Sequence, residues 1–69
     1  MSGFILKKGE SLYGYAYQCV HNGLPVMARV YAKGKSEDEA DKSAAKKIGQ
    51  KCSRYGLSDP KLLKRAWLE

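Results

Sequence analysis

The sequence predicts an α+β domain: a three-stranded antiparallel sheet packed on one α-helix, in the chain order β-β-β-α, with a short C-terminal helix. Three observations carry this expectation. Tyr13, Tyr15 and Tyr17, with Cys19 in phase, repeat with period two, as a strand with one buried face does. Asn22-Gly23 follows, and Asn-Gly is the strongest short-range signal for a type I′ hairpin, because both central residues must accept positive φ. Ser36-Glu37-Asp38-Glu39 then opens an Ala- and Lys-rich stretch with helical spacing.

The elements follow in order. Phe4, Ile5 and Leu6 suit a first strand over about residues 3–8, closed by Lys7-Lys8-Gly9, with a turn at Glu10-Ser11. A second strand is expected over about 12–20 and a third over about 25–33. The hairpin fixes their register. If His21 pairs with Leu24, Cys19 faces Val26, Tyr17 faces Ala28, Tyr15 faces Val30 and Tyr13 faces Ala32. Directly opposed residues share a face, so large tyrosines meet small aliphatics on one side, as a core needs. The other side carries Gly14, Ala16 and Gln18 beside Met27, Arg29, Tyr31 and Lys33. Pro25 falls opposite Val20 at a pair without ladder bonds, where its missing N–H costs little.

Ser36 reads as a helix N-cap with Glu39 as its capping-box partner. Glu37, Asp38 and Glu39 put negative charge at the positive end of the helix dipole. The helix should span about 37–55 and stop at Gly56 in a left-handed conformation. Ala40, Ala44, Ala45, Ile48, Cys52 and Tyr55 form its expected apolar stripe, and Lys42, Lys46, Lys47, Lys51 and Arg54 its polar side. Asp59 as cap and Pro60 at the first position predict a short helix over about 60–68. Leu62, Leu63, Ala66 and Trp67 would close the core, with Lys61, Lys64 and Arg65 outward. Leu68-Glu69 is assigned no role.

At 69 residues the chain is read as a single small domain, 1–69, with a thin core. Cys19 and Cys52 are expected to be reduced thiols packed as small core residues in a cytoplasmic protein. With one His and no CxxC pair, a zinc site is not expected. No apolar run reaches membrane-spanning length. No triad, carboxylate pair, Walker loop or metal constellation is visible, so neither enzyme activity nor a cofactor is expected, and no small-molecule substrate is evident.

The charge points to function. Thirteen Lys and Arg against 7 Asp and Glu give +6, a field that favours polyanions, although a merely basic soluble surface has the same composition. The face opposite the tyrosines offers Gln18, Arg29, Tyr31 and Lys33, side chains that reach base edges or phosphates, over Gly14 and Ala16, which admit a partner close to the backbone. Lys7, Lys8 and Lys35 would extend the patch. The lysines of the helix read as a solvated face, with phosphate contact as the alternative. His21 reads as an exposed turn residue.

The stretch GFILKKGESLYGYAYQCVHNG, Gly3 to Gly23, resembles the N-terminal arm-type DNA-binding domain of tyrosine-recombinase integrases from phages and conjugative transposons. The resemblance implies three antiparallel strands on one helix, with the sheet face in the DNA major groove. Carried onto this sequence, it implicates Gln18, Arg29, Tyr31 and Lys33, with Lys7 and Lys8 on the first strand. No catalytic integrase domain accompanies it. The stretch KGKSEDEADKSAAKKIGQ, Lys33 to Gln50, resembles the last strand and helix of a double-stranded-RNA-binding domain through the spacing of Ser36, Ala40, Ala44 and Ala45. Where that family carries phosphate-holding lysines, this chain has Glu37, Asp38 and Asp41, and the family's leading helix has no counterpart.

The leading expectation is therefore a non-enzymatic domain that binds duplex DNA through its exposed sheet face. Lys7, Lys8, Lys33 and Lys35 would contact phosphates, and Arg29 and Gln18 would read bases. The alternative is a small phage or mobile-element inhibitor of a host protein in a defence or nucleic-acid-processing complex, anchored by Tyr31, Met27 or Trp67. Binding of double-stranded RNA is the third reading.

Overall fold

A computed structural model describes residues 6–69. The order is β1 (Ser11–His21), β2 (Leu24–Gly34), α1 (Glu37–Tyr55) and β3 (Ser58–Trp67). The strands form one antiparallel sheet in the spatial order β2-β1-β3, so β1 is central.

The hairpin forms as its turn chemistry dictates. Asn22 and Gly23 take φ of 51° and 79°, the left-handed pair that a type I′ turn requires. His21 pairs with Leu24, and the ladder runs through Cys19–Val26, Tyr17–Ala28, Tyr15–Val30 and Tyr13–Ala32. This is the predicted register, and it turns Tyr15, Tyr17, Cys19, Ala28, Val30 and Ala32 into the core.

α1 covers that face with small residues. Ala40, Ala44 and Ile48 are buried against the sheet, and Cys52 packs beside them half-buried. Tyr15 and Tyr17 stack at 6.4 Å between ring centres, filling the space the alanines leave. Ser36 caps the helix: its hydroxyl accepts from the Glu39 N–H at 3.2 Å. Gly56, at φ 67°, ends it by donating its N–H to the Cys52 carbonyl. Ala45 and Tyr55 are exposed, so the expected apolar stripe is narrower than the sequence pattern suggests. The helix lies mainly over β2 and touches β3 little.

The third strand differs in origin from the expectation. It comes from Ser58–Trp67, after the helix, where the sequence predicts a short helix over about 60–68. The expected strand over about 3–8 lies partly outside the described residues; within them, Lys8-Gly9 forms a turn instead. The reason is the unfilled edge of β1. A two-stranded hairpin is marginal alone, and an uncovered central strand leaves a row of N–H and C=O groups without partners. β3 pairs with that edge through Gly14–Ala66, Ala16–Lys64 and Gln18–Lys61. The pairing continues past β3: the Leu68 N–H donates to the Leu12 carbonyl at 2.8 Å, and the Leu12 N–H donates to the Glu69 carbonyl at 2.8 Å. Pro60 is tolerated because β3 is an edge strand.

One polar network ties β3 to the helix. The Tyr15 hydroxyl donates to Asp41 Oδ1 at 2.7 Å. Arg65, opposite Tyr15 in the ladder, reaches Asp41 Oδ2 at 2.8 Å and also pairs with Glu37. The hydrogen bond from Tyr15 and the Arg65 guanidinium hold the Asp41 carboxyl below the usual aspartate range. Burial, with the Asp41 hydrogen bond, pushes the Tyr15 phenol above its ordinary value. Arg65 is thereby committed to the helix side of the sheet.

Candidate nucleic-acid interface

Helix α1 covers one face of the sheet and leaves the other open. By the register, that open face presents Gly14, Ala16 and Gln18 from β1, Met27, Arg29, Tyr31 and Lys33 from β2, and Lys61, Lys64 and Ala66 from β3. The strands β1 and β2 contain no Asp or Glu. In β3 the acid is Asp59, at the end next to the helix-to-strand turn. The acids Glu37, Asp38, Glu39 and Asp41 lie on the first turns of α1, in the other layer. The fold therefore keeps the acids off the paired positions of the open face, while cations lie on both layers.

The centre of the face is Ala16. Arg29 is its partner on one side and Lys64 on the other. Two strand spacings put their Cβ atoms roughly 10 Å apart. Both side chains are exposed, and neither makes a hydrogen bond or ion pair among the described residues. Gln18, one pair along, sits between Met27 and Lys61, and all three are exposed. A shallow groove of about 270 Å³ runs between the two cations, lined by Gly14, Ala16, Arg29, Tyr31, Lys64 and Leu68.

Toward the other end of the face, apolar groups gather around Gly14. Gly14 carries no side chain, and Leu68 and Tyr31 close over it: a Cβ there would lie 3.3 Å from Leu68 Cδ1 and 3.5 Å from the Tyr31 ring. Leu12 is buried next to this cluster.

The residues singled out from sequence divide accordingly. Gln18, Arg29, Tyr31 and Lys33 do share one face, with Lys33 half-buried opposite Leu12. Lys35 lies just beyond β2 and is exposed. Lys7 and Lys8 are not on a strand. The Glu10 carboxylate accepts from the Lys7 N–H at 2.7 Å, and the Glu10 N–H donates to the Lys7 carbonyl at 2.9 Å, closing a tight turn. That local ring satisfies the backbone groups a strand would have offered to a ladder.

Sequence reasoning missed Lys61 and Lys64, because it placed them on a helix. The period-two run Lys64-Ala66-Leu68 against Arg65-Trp67 was the available signal. Bulges in the β1–β3 pairing, between Ala16 and Tyr17 at Leu62-Leu63 and between Gln18 and Val20 at Asp59-Pro60, interrupt that run and give the segment a helical look.

Among the described residues no group of three His, Cys, Asp or Glu side chains is placed to hold a metal ion. Cys19 and Cys52 are free thiols, and burial raises the Cys19 thiol above its ordinary value. Among the described residues no helix is long and apolar enough to cross a membrane. Comparison of the chain with protein-family models, with curated proteins and with solved structures finds no match in any of the three.

Proposed function

We propose that this protein is a non-enzymatic nucleic-acid-binding domain that lays its open sheet face in the major groove of duplex DNA. The observation that carries the reading is the acid-free, basic surroundings of Ala16. Arg29 and Lys64 flank a small-residue floor on a face whose strand positions supply Lys61 and Lys33 and no acid. The major groove is about 12 Å wide, and the roughly 10 Å between the two flanking positions lets the side chains address its base edges or rims. Arg29 suits guanine as a bidentate donor, and Gln18 suits adenine. Lys33, Lys35, Lys61 and Lys64 supply phosphate contacts that set position and carry no sequence information. Lys7 and Lys8, in the turn before β1, are peripheral contributors. This agrees with what the resemblance to integrase arm-type domains implies for the sheet face, although here the third strand follows the helix.

The test is fluorescence anisotropy with duplex DNA, duplex RNA and single-stranded DNA across a salt series. The reading expects a steep salt dependence on duplex DNA, with log K falling by about 0.9 per phosphate contact for each unit of log salt. Binding to duplex RNA alone would select the third reading of the sequence.

A second reading has its own support. Leu62, Leu63 and Trp67 are exposed on β3, and Trp67 is 65% exposed. Exposed aromatic and aliphatic groups on an edge strand suit a protein partner, as expected of a phage or mobile-element inhibitor of a host complex. That reading predicts capture of one protein from a nuclease-treated host extract by the intact domain, lost in Trp67→Ala.

A further inference from the structure

The basic side of α1 is organised as well as charged. Lys47, Lys51 and Arg54 follow one another at spacings of four and three residues, so they share a helix face. With Gln50 and Tyr55 they line a depression beside the helix. Every lining side chain can donate a hydrogen bond, and none is acidic.

The fold also fixes where two of these cations sit. Lys51 Nζ donates to the Arg29 carbonyl at 2.9 Å, and Lys47 Nζ donates to the Tyr31 carbonyl at 2.5 Å. In an antiparallel ladder ordered like this one, Arg29 and Tyr31 point those carbonyls away from β1, out of the free edge of β2. The two ammonium groups are therefore pinned at the boundary between sheet and helix. The Arg29 side chain leaves the same residue toward the open face. An ammonium has three donors, so the Lys51 bond to the strand leaves protons for another acceptor.

We propose that the depression lined by Lys47, Gln50, Lys51, Arg54 and Tyr55 is a phosphate-binding seat, which grips the backbone of the duplex whose groove takes the open sheet face. The second clause rests on the function proposed above. The dimensions support it. The major groove is about 8.5 Å deep, and packed layers lie roughly 10 Å apart. A sheet at the groove floor brings the sheet–helix boundary level with the phosphates of the rim, and at the β2 edge that boundary is Lys47 and Lys51. Arg54, one turn on, continues the row along the backbone with a guanidinium that can engage two phosphate oxygens at once. Arg54 also offsets the negative end of the helix dipole, but that effect falls off within the last turn and leaves Lys47 and Lys51 unexplained.

Two variants test the seat. Arg54→Gln removes a cation that makes no hydrogen bond or ion pair among the described residues, so its fold should hold, with the melting temperature lowered only by the loss of its modest interaction with the helix dipole. Lys51→Gln/Arg54→Gln removes two cations and keeps polar groups in place. On duplex DNA the slope of log K against log salt should become shallower by about 0.9 in the single variant and about 1.8 in the double variant. Preference among DNA sequences should not change, whereas Arg29→Ala should alter it. A second arm titrates inorganic pyrophosphate into the wild type by nitrogen–proton NMR. Saturable shifts are expected at Gln50, Lys51, Arg54 and Tyr55, and their loss in Arg54→Gln. Wild-type duplex binding with an unchanged slope in the double variant overturns the seat and leaves the sheet-face reading standing. Pyrophosphate shifts in a protein that ignores duplexes uphold an anion seat and overturn the sheet-face reading. No duplex binding and no saturable shifts overturn both.

Discussion

Two glycines of this chain should answer the same substitution with opposite signs. Gly34 is buried where β2 passes under the first turn of α1. A Cβ there would lie 2.7 Å from the Ala40 nitrogen, 3.1 Å from Glu39 Cβ and 3.2 Å from Ala40 Cα. The nearest obstacle is backbone, so no side-chain rotation relieves it. The Ala40 N–H also donates to the Ser36 carbonyl at 3.1 Å, the first bond of the helix, so a shift there loosens the cap. Gly34 is not among the glycines with positive φ, and Gly34→Ala therefore costs through contact alone. Overpacking of this kind costs about 1–3 kcal/mol. A mid-range loss of about 2 kcal/mol corresponds to a fall of about 8–16 °C in Tm for a domain this size. Gly49 is the control. It is exposed in the middle of α1, and a Cβ there meets nothing within 4 Å. Gly49→Ala should stabilise by about 1 kcal/mol from helix propensity and raise Tm by about 4–8 °C. Thermal melts followed by far-ultraviolet circular dichroism measure both. Equal or greater stability of Gly34→Ala, or shifts of the same sign in both variants, would refute the packing of β2 beneath the helix start.

Three further outcomes are expected. Ile48→Ala removes the largest aliphatic side chain that α1 buries and should lower urea-unfolding stability by about 2–4 kcal/mol, a large share of what a small domain has. Asp41 is held below the ordinary aspartate value in the folded state, so its contribution is complete above about pH 4 and is lost as pH falls through the depressed value. Urea titrations at a series of acid pH values should show that loss in the wild type and a flatter acid limb in Asp41→Asn. An unchanged limb would mean that the Tyr15–Asp41–Arg65 network does not hold in solution. Cys19 is 0% exposed with a raised thiol pKa, so a disulfide-exchange probe such as dithionitrobenzoate should label it only at the rate of unfolding, more slowly than half-buried Cys52.

How much of this was legible beforehand depended on how local the physics was. The β1–β2 register could be read because Asn22-Gly23 fixes a turn type and a two-residue loop leaves one pairing. The helix bounds could be read because Ser36 and Gly56 act within a few residues of themselves. The C-terminal strand could not. Lys61 to Leu68 has the apolar spacing of a helix, and its true conformation is set by the empty edge of β1, some 40 to 50 residues earlier in the chain. The bulges at Leu62-Leu63 and at Asp59-Pro60 then erased the period of two that would have revealed it. The candidate site shared this fate. Gln18, Arg29 and Tyr31 followed from the hairpin register, whereas Lys61 and Lys64 became part of the face only through β3.

The sheet face itself is tested most directly by reversing its charge and leaving the fold alone. Arg29→Glu/Lys64→Glu alters two exposed side chains that make no hydrogen bonds or ion pairs among the described residues. Anisotropy titrations of wild type and double variant against duplex DNA at low salt, with melts to confirm folding, give the answer. Salt-dependent binding by the wild type and its near-complete loss in the folded variant are expected. Equal affinity of the two proteins, or no wild-type binding to duplex DNA, would contradict the sheet-face reading.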